Sequence, residues 1–83
     1  MAQTPATTEL NLANQAELEQ VPGLGPQLAE RLLHARRAGL FISWADAQQR
    51  VKGLGPASAK RLSERGLRIN GQAWAAATPL PKP

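Results

Sequence analysis

The chain has 83 residues, a mass of 8.9 kDa, a net charge of +4 and a pI of 10.8. Its 42% hydrophobic and 19% charged residues are the balance of one small folded domain with tails, not of a disordered chain. No cysteine is present for a disulfide or thiolate metal site, the lone His34 has no carboxylate cluster to build a zinc site, and no apolar run approaches the roughly 20 residues of a membrane span.

Met1–Thr8 is small and polar and lacks the basic and apolar segments of a signal peptide. It reads as a disordered tail of a protein that stays inside the cell, or of the processed form of an exported one. Asn11 is the expected cap of a first helix from Leu12 to about Gln20, with Leu12, Leu18 and Val21 as its apolar positions. Pro26 suits the first turn of a second helix, which runs to about Ala38 and stops at Gly39. Leu28, Ala29, Leu32, Leu33 and Ala35 give that helix an apolar stripe. Leu40-Phe41-Ile42 is expected to plug the core. Ser43 caps a third helix from Trp44 to about Arg50, and Pro56 starts a fourth that Gly66 closes. Residues 69–83 read as a largely disordered tail, with three prolines in the last five positions. The expected fold class is all-α: a four-to-five-helix bundle over residues 9–68, with no sheet. Its core is expected from Leu18, Val21, Leu24, Leu28, Leu32, Phe41, Val51, Leu54 and Leu62.

The charge is unevenly placed. Residues 1–30 hold four acids and no Lys or Arg, whereas residues 31–83 hold all ten basic residues and two acids. A one-sided positive field suits a polyanion; it also serves simply to keep a surface solvated.

An internal repeat carries most of the information. Val21 to Leu32 aligns with Val51 to Leu62 at an offset of 30 residues, with eight identities in twelve positions, including Gly-Leu-Gly-Pro. In each copy the glycines permit positive φ and close approach of another surface. The leucine between them can turn inward as an anchor. The proline opens the next helix and leaves free N–H groups at its N-terminus, where the helix dipole favours an anion such as a phosphate oxygen.

Each copy also has an apolar residue two before the first glycine, an alanine four after the second, and a leucine three beyond that. The doubled pattern resembles the tandem helix-hairpin-helix domain, also described as a SAM-like bundle. Leu10-Asn11-Leu12-Ala13, Glu17-Leu18 and Val21 to Gly25 look more specifically like the DNA-binding domain of the ComEA-type competence DNA receptor. Arg36, Gly39, Phe41, Ser43, Asp46 and Val51 to Gly55 continue the likeness over about residues 10–66. The resemblance implies sequence-independent DNA binding of the kind used in bacterial DNA uptake, with hairpin amides holding phosphates. By position the first hairpin offers Gly23, Leu24, Gly25, Leu28 and Arg31. The second offers Lys52, Gly53, Leu54, Gly55, Ser58, Lys60 and Arg61. A pseudo-two-fold would let each hairpin meet one strand across the minor groove, and no set of side chains is evident that would specify sequence.

The chain departs from the family's pattern in places. Glu30 stands where the second copy has Lys60, so the first hairpin is expected to be less positive. Gln48 stands where Leu18 would predict an apolar residue, and the Phe41-to-Val51 spacing is about one residue long. A shifted third helix is therefore expected, burying Trp44, Ala47 and Val51. Trp74 is left open between a hydrophobic plug and a partner site. Arg36 and Arg37 suit the C-terminus of the second helix and a basic surface alike.

The expected partner is DNA, double-stranded and held through phosphates, by a monomer, with no membrane and no cofactor or metal. The competing reading is a protein-interaction module on the same fold. Catalysis is not expected. His34 has no positioned partner, and a glycosylase using this hairpin needs a base pocket too large for this chain.

Overall fold

The structure, a computed structural model, describes residues 7–75. Four helices make up most of it: α1 (Gln15–Glu19), α2 (Pro26–Ala38), α3 (Trp44–Arg50) and α4 (Pro56–Glu64). Two short strands, β1 (Thr8–Glu9) and β2 (Leu67–Arg68), pair in parallel, with Thr8 opposite Leu67 and Glu9 opposite Arg68. The class is all-α, as the sequence implies, but the expectation of no sheet needs this small correction. Two residues per strand are too few to show alternation in a sequence.

The two copies of the repeat fold alike. Val21, Leu24, Ala29 and Leu32 are buried in the first, and Val51, Leu54, Ala59 and Leu62 in the second. Each of these faces meets the common core, which also takes Leu18, Phe41, Trp44 and Ala47. Burying a leucine or phenylalanine side chain contributes about 1.5–3 kcal/mol, so the shared interior is what holds such short helices in place. Leu28 is only half-buried, against the expectation that it belongs to the core.

The start of α1 differs from the sequence reading. Its cap is Asn14, not Asn11. Asn14 Oδ1 accepts from the Glu17 amide at 2.8 Å, and Glu17 Oε1 accepts from the Asn14 amide at 2.8 Å, a reciprocal capping box. Asn11 is buried instead. Its amide group bonds both backbone groups of Phe41, at 2.8 and 2.9 Å, and so ties the N-terminal segment to the α2–α3 connector. Leu12, outside the shortened helix, is 81% exposed. In the connector only Phe41 plugs the core, while Leu40 and Ile42 are 62% and 77% exposed.

The third helix has the expected shift. Ser43 Oγ accepts from the Asp46 amide at 3.0 Å, and Trp44, Ala47 and Val51 are buried. Val51 closes the helix on Ala47 O, whereas Val21 closes on Leu18 O, which is the one-residue difference between the copies. Gln48 is half-buried and accepts from Trp74 Nε1 at 3.1 Å.

The packed unit begins with Thr8 in β1 and runs past residue 68. Leu10, Leu67 and Ile69 are almost fully buried. The Glu9 carboxylate accepts from the amides of Asn11, Asn70 and Gly71. Trp44 Nε1 donates to Gln72 O, and the Trp74 amide donates to Ser63 Oγ. Trp74 thus folds back on the bundle, so residues 69–75 are part of the packed unit. Residues 1–6 and 76–83 of the expected tails lie outside the described residues. No helix among the described residues is long and apolar enough to cross a membrane.

Candidate nucleic-acid interface

Both hairpins have the same backbone. Gly23 and Gly53 sit at φ +89° and +94°, the left-handed region where a side chain costs about 1–2 kcal/mol. Leu24 and Leu54 turn inward and are buried, and their amides donate to the carbonyls of Val21 and Val51. These two leucines therefore anchor the loops. Their side chains are buried and their amides are already bonded within the loop.

Gly25 and Gly55 are different. They are the N-caps of α2 and α4, with φ −79° in each, an ordinary extended conformation. A Cβ built on either would meet nothing within 4 Å. Neither backbone strain nor packing demands glycine there. At an N-cap, Asn, Asp or Ser exceeds glycine by only a few tenths of a kcal/mol, about 0.3, but supplies the side-chain acceptor that glycine lacks, and α1 and α3 carry Asn14 and Ser43 in that role. α2 and α4 carry no side-chain cap. Pro26 and Pro56 occupy the first position and have no N–H, so the free donors are displaced to the next two residues. Among the described residues, the amides of Gly25, Gln27 and Leu28 find no acceptor, nor do those of Gly55, Ala57 and Ser58. The Gln27 and Ala57 amides were not anticipated from the sequence. The proline itself was the signal, because it silences its own position and passes the role onward.

The structure separates basic residues that look alike in the sequence. Arg36 donates to Leu10 O and Ala13 O, both at 2.7 Å, and so caps the turn before α1. Arg50 donates to Ala35 O, Gly39 O and Asp46 Oδ2 and lies 4.5 Å over the Phe41 ring. Arg68 is bound to Ser63 O at 2.8 Å. These three arginines satisfy carbonyls. Lys52, Lys60, Arg61, Arg65, Arg37 and Arg31 are exposed, and Asp46–Arg50 is the one ion pair among the described residues. Asp46 accepts from the Ile42 amide at 3.1 Å. That bond, opposed by desolvation and assisted by Arg50, holds its carboxyl below the ordinary value.

Each repeat's second helix lies against the other repeat's loop. A Cβ at Gly53 would stand 3.2 Å from the Arg31 guanidinium and 4.0 Å from Leu28, both on α2. A Cβ at Gly23 would stand 3.9 Å from Leu62, on α4. Arg31 Nη1 also approaches Lys52 O at 3.4 Å. Glu30 lines a groove of about 530 Å³ that Arg31, His34 and Lys52 also line. Arg31 thus reaches the second hairpin as well as standing beside its own. His34 is exposed, with no bonded partner among the described residues.

The model of the helix-hairpin-helix motif matches residues 6–65, which span both hairpins and all four helices. No curated protein and no solved structure matches the chain.

Proposed function

The chain belongs to the helix-hairpin-helix family, and from that membership we propose that it binds DNA without regard to sequence, through phosphates held at the amides of its two hairpins. The observation that carries this reading is the pair of uncapped helix N-termini. At Gly25 and Gly55 the fold has room for a capping side chain and the backbone does not require glycine, yet both copies leave the donors open. A phosphate oxygen supplies the missing acceptor and gains the helix dipole as well. A bare glycine lets it come within hydrogen-bonding distance. Lys52, Lys60 and Arg61, exposed and without acidic partners among the described residues, add charge around these donors.

Duplex DNA is the favoured form. Proteins that hold single strands use exposed aromatic platforms for stacking. Here Phe41 and Trp44 are buried, and Trp74 is half-buried with its indole bonded to Gln48. The likeness to the ComEA-type domain supports a role in DNA uptake as the finer reading. The domain acts as a binding module rather than an enzyme.

The test is a titration of the labelled full chain with a short duplex of arbitrary sequence, followed by amide spectra and repeated at several salt concentrations. Shifts should centre on Gly25, Gln27, Leu28, Gly55, Ala57 and Ser58. With about 3–5 phosphates engaged, log K against log salt should have a slope of roughly −3 to −4, shallower where amides rather than cations make the contact. Affinity at physiological salt should fall near ~10⁻⁴ to 10⁻⁶ M. Salt-independent binding, or shifts confined to α1, would overturn the reading in favour of a protein partner.

A further inference from the structure

The two ends of the packed unit meet at one carboxylate. Glu9, on β1, accepts from the Asn70 amide at 2.9 Å, from the Gly71 amide at 2.7 Å and from the Asn11 amide at 3.2 Å. Asn70 and Gly71 form a tight turn with φ +54° and +76°, closed by paired backbone bonds between Ile69 and Gln72. Two successive positive φ values favour Asn-Gly, so turn geometry alone explains why this pair stands here. The pair also has a chemistry that the turn does not need.

Asn-Gly is the dipeptide most open to intramolecular attack on an asparagine side chain, because glycine has no side chain to shield its amide nitrogen. The Gly71 nitrogen bonds to Asn70 Cγ, the Cγ–Nδ2 bond breaks, and Nδ2 leaves as ammonia with the proton that Gly71 gives up. The succinimide ring so formed takes up water at either carbonyl and opens to aspartate or isoaspartate. Asn70 and Gly71 are both exposed, so water reaches them.

The fold opposes each part of this step. Asn70 Oδ1 accepts from Asn11 Nδ2 at 3.1 Å, and Asn70 Nδ2 donates to Phe41 O and Ile42 O, both at 3.3 Å. The side-chain amide is thus turned onto the N-terminal segment and the α2–α3 connector. It must leave those partners before Cγ can close on its own backbone. The Gly71 proton is held by Glu9, and the negative charge of that carboxylate disfavours the amide anion that attacks.

We infer that Asn70–Gly71 is a site of spontaneous deamidation that the Glu9 carboxylate keeps closed, and that deamidation, once it occurs, leaves this clasp open. The second half follows from the groups around the site. An ionised aspartate or isoaspartate at position 70 is acceptor-only, so it faces the Phe41 and Ile42 carbonyls with no donor and adds a negative charge beside Glu9. Isoaspartate also lengthens the backbone of the turn. The segment that loosens carries Gln72, whose carbonyl receives the Trp44 indole, and Trp74, whose amide donates to Ser63 Oγ. The clasp uses none of the hairpin amides, so the inference does not rest on DNA binding.

The full chain is aged at mildly alkaline pH and digested, and the peptide carrying Asn70 is quantified by mass spectrometry, with aspartate and isoaspartate separated by chromatography. The same chain unfolded in urea gives the rate of the open dipeptide. The folded chain should lose the amide at least roughly tenfold more slowly, because hydrogen bonds to a charged group must open first. Glu9→Gln removes the charge and one acceptor oxygen and should recover most of that difference while the far-ultraviolet spectrum stays helical. If Glu9→Gln does not fold, Glu9→Asp carries the comparison: it keeps the charge with a shorter reach and should lie between. Asn14→Ala weakens the chain at the α1 capping box, away from the clasp, and should leave Asn70 protected. Asn70→Asp, before any ageing, should speed hydrogen exchange at the Asn11 and Gly71 amides. Equal rates in the folded and urea-unfolded chain overturn the inference, as does a folded Glu9 variant as slow as the unaltered chain. Asn14→Ala deamidating as fast as Glu9→Gln overturns it too, since protection would then be global stability alone. Unchanged exchange in Asn70→Asp refutes the open clasp.

Discussion

The first and second hairpins share eight of twelve residues, the same glycine conformations and the same buried positions, yet they do not stand in the same surroundings. The first is met by Leu62 of α4 and shares a groove with Glu9, Glu17 and Arg65. The second is met by Leu28 and Arg31 of α2 and has Lys52 in its own loop. The comparison teaches that a repeated sequence repeats its backbone and its anchors, because these follow from glycine, proline and leucine within a few residues. It does not repeat its electrostatics, because the flanking sequences differ and because some side chains around each loop, Arg65 at the first and Arg31 at the second, arrive from the other half of the chain.

The largest expected effect comes from closing the uncapped helices. Gly25→Asp or Gly55→Asp supplies a carboxylate that takes the amides and repels phosphate. Each should weaken duplex binding at least tenfold, and the double variant roughly a hundredfold, while the midpoint of thermal unfolding holds or rises. Loss of binding with loss of folding would end the argument that glycine is there for a ligand. The two hairpins are distinguished by which single variant costs more, and the second, with Lys52 beside it, should lose more.

Exchanging the charges at equivalent positions sharpens the contrast. Lys60→Glu should weaken binding to all duplexes by about five- to tenfold and flatten the salt slope by about one, measured by titration calorimetry. Glu30→Lys should strengthen binding by roughly threefold, because it removes an acid from the groove that Lys52 shares. Arg31→Ala should weaken total affinity less than Lys60→Glu. The reverse order would show that the contact surface is centred on Arg31 rather than on α4.

Stability offers a subtler comparison. Gly23→Ala and Gly53→Ala both force alanine into positive φ, at about 1–2 kcal/mol. At Gly53 the added methyl also meets the Arg31 guanidinium at 3.2 Å, against 3.9 Å to Leu62 at Gly23. Arg31 is an exposed, flexible side chain and can move aside, so the extra cost is small. Urea unfolding should place Gly53→Ala slightly below Gly23→Ala, and Arg31→Ala in the Gly53→Ala background should remove the difference.

The smallest effect is on acid stability. Asp46 has its pKa lowered in the folded state, first by the Ile42 amide and also by Arg50. A depressed carboxyl contributes stability that is present above its unfolded value, near 3.8, and is lost as pH falls through the lower folded value. Asp46→Asn should therefore lower stability slightly at neutral pH, where the contribution is fully present, and flatten the acid limb below pH ~4, where variant and unaltered chain draw together. An unchanged acid limb would show that the connector is held by Arg50 alone.

Local rules in the sequence were enough for the four helices and for both loops. Pro26 and Pro56 mark helix starts because a missing N–H is tolerated only there, and Ser43 caps its helix through a bond within three residues. The helical spacing of Trp44, Ala47 and Val51 also placed the shifted third helix before any contact was known. What failed locally failed where a long-range partner outbid a near one. Asn11 looks like a cap three residues early. Asn14 wins that role because Glu17 completes its capping box and because Phe41, 30 residues away, takes both ends of the Asn11 amide. Leu12, Leu40 and Ile42 looked internal by composition, yet the chain reverses on either side of Asn11 and Phe41 and leaves them outside. β1 and β2 are far apart in sequence and too short to show a period, so their pairing appears only once the bundle brings the termini together. For the candidate site, the chemistry of the donors was written in Gly-Leu-Gly-Pro. Which cations surround them was not, because a carbonyl that needs an arginine leaves no trace in composition. Arg36, Arg50 and Arg68 are drawn into the fold by such carbonyls, and Arg31 is carried across to the second hairpin by the packing of α2. Backbone conformation is short-ranged and so is legible in order along the chain; the placement of charge depends on which surfaces meet, and only the packed core decides that.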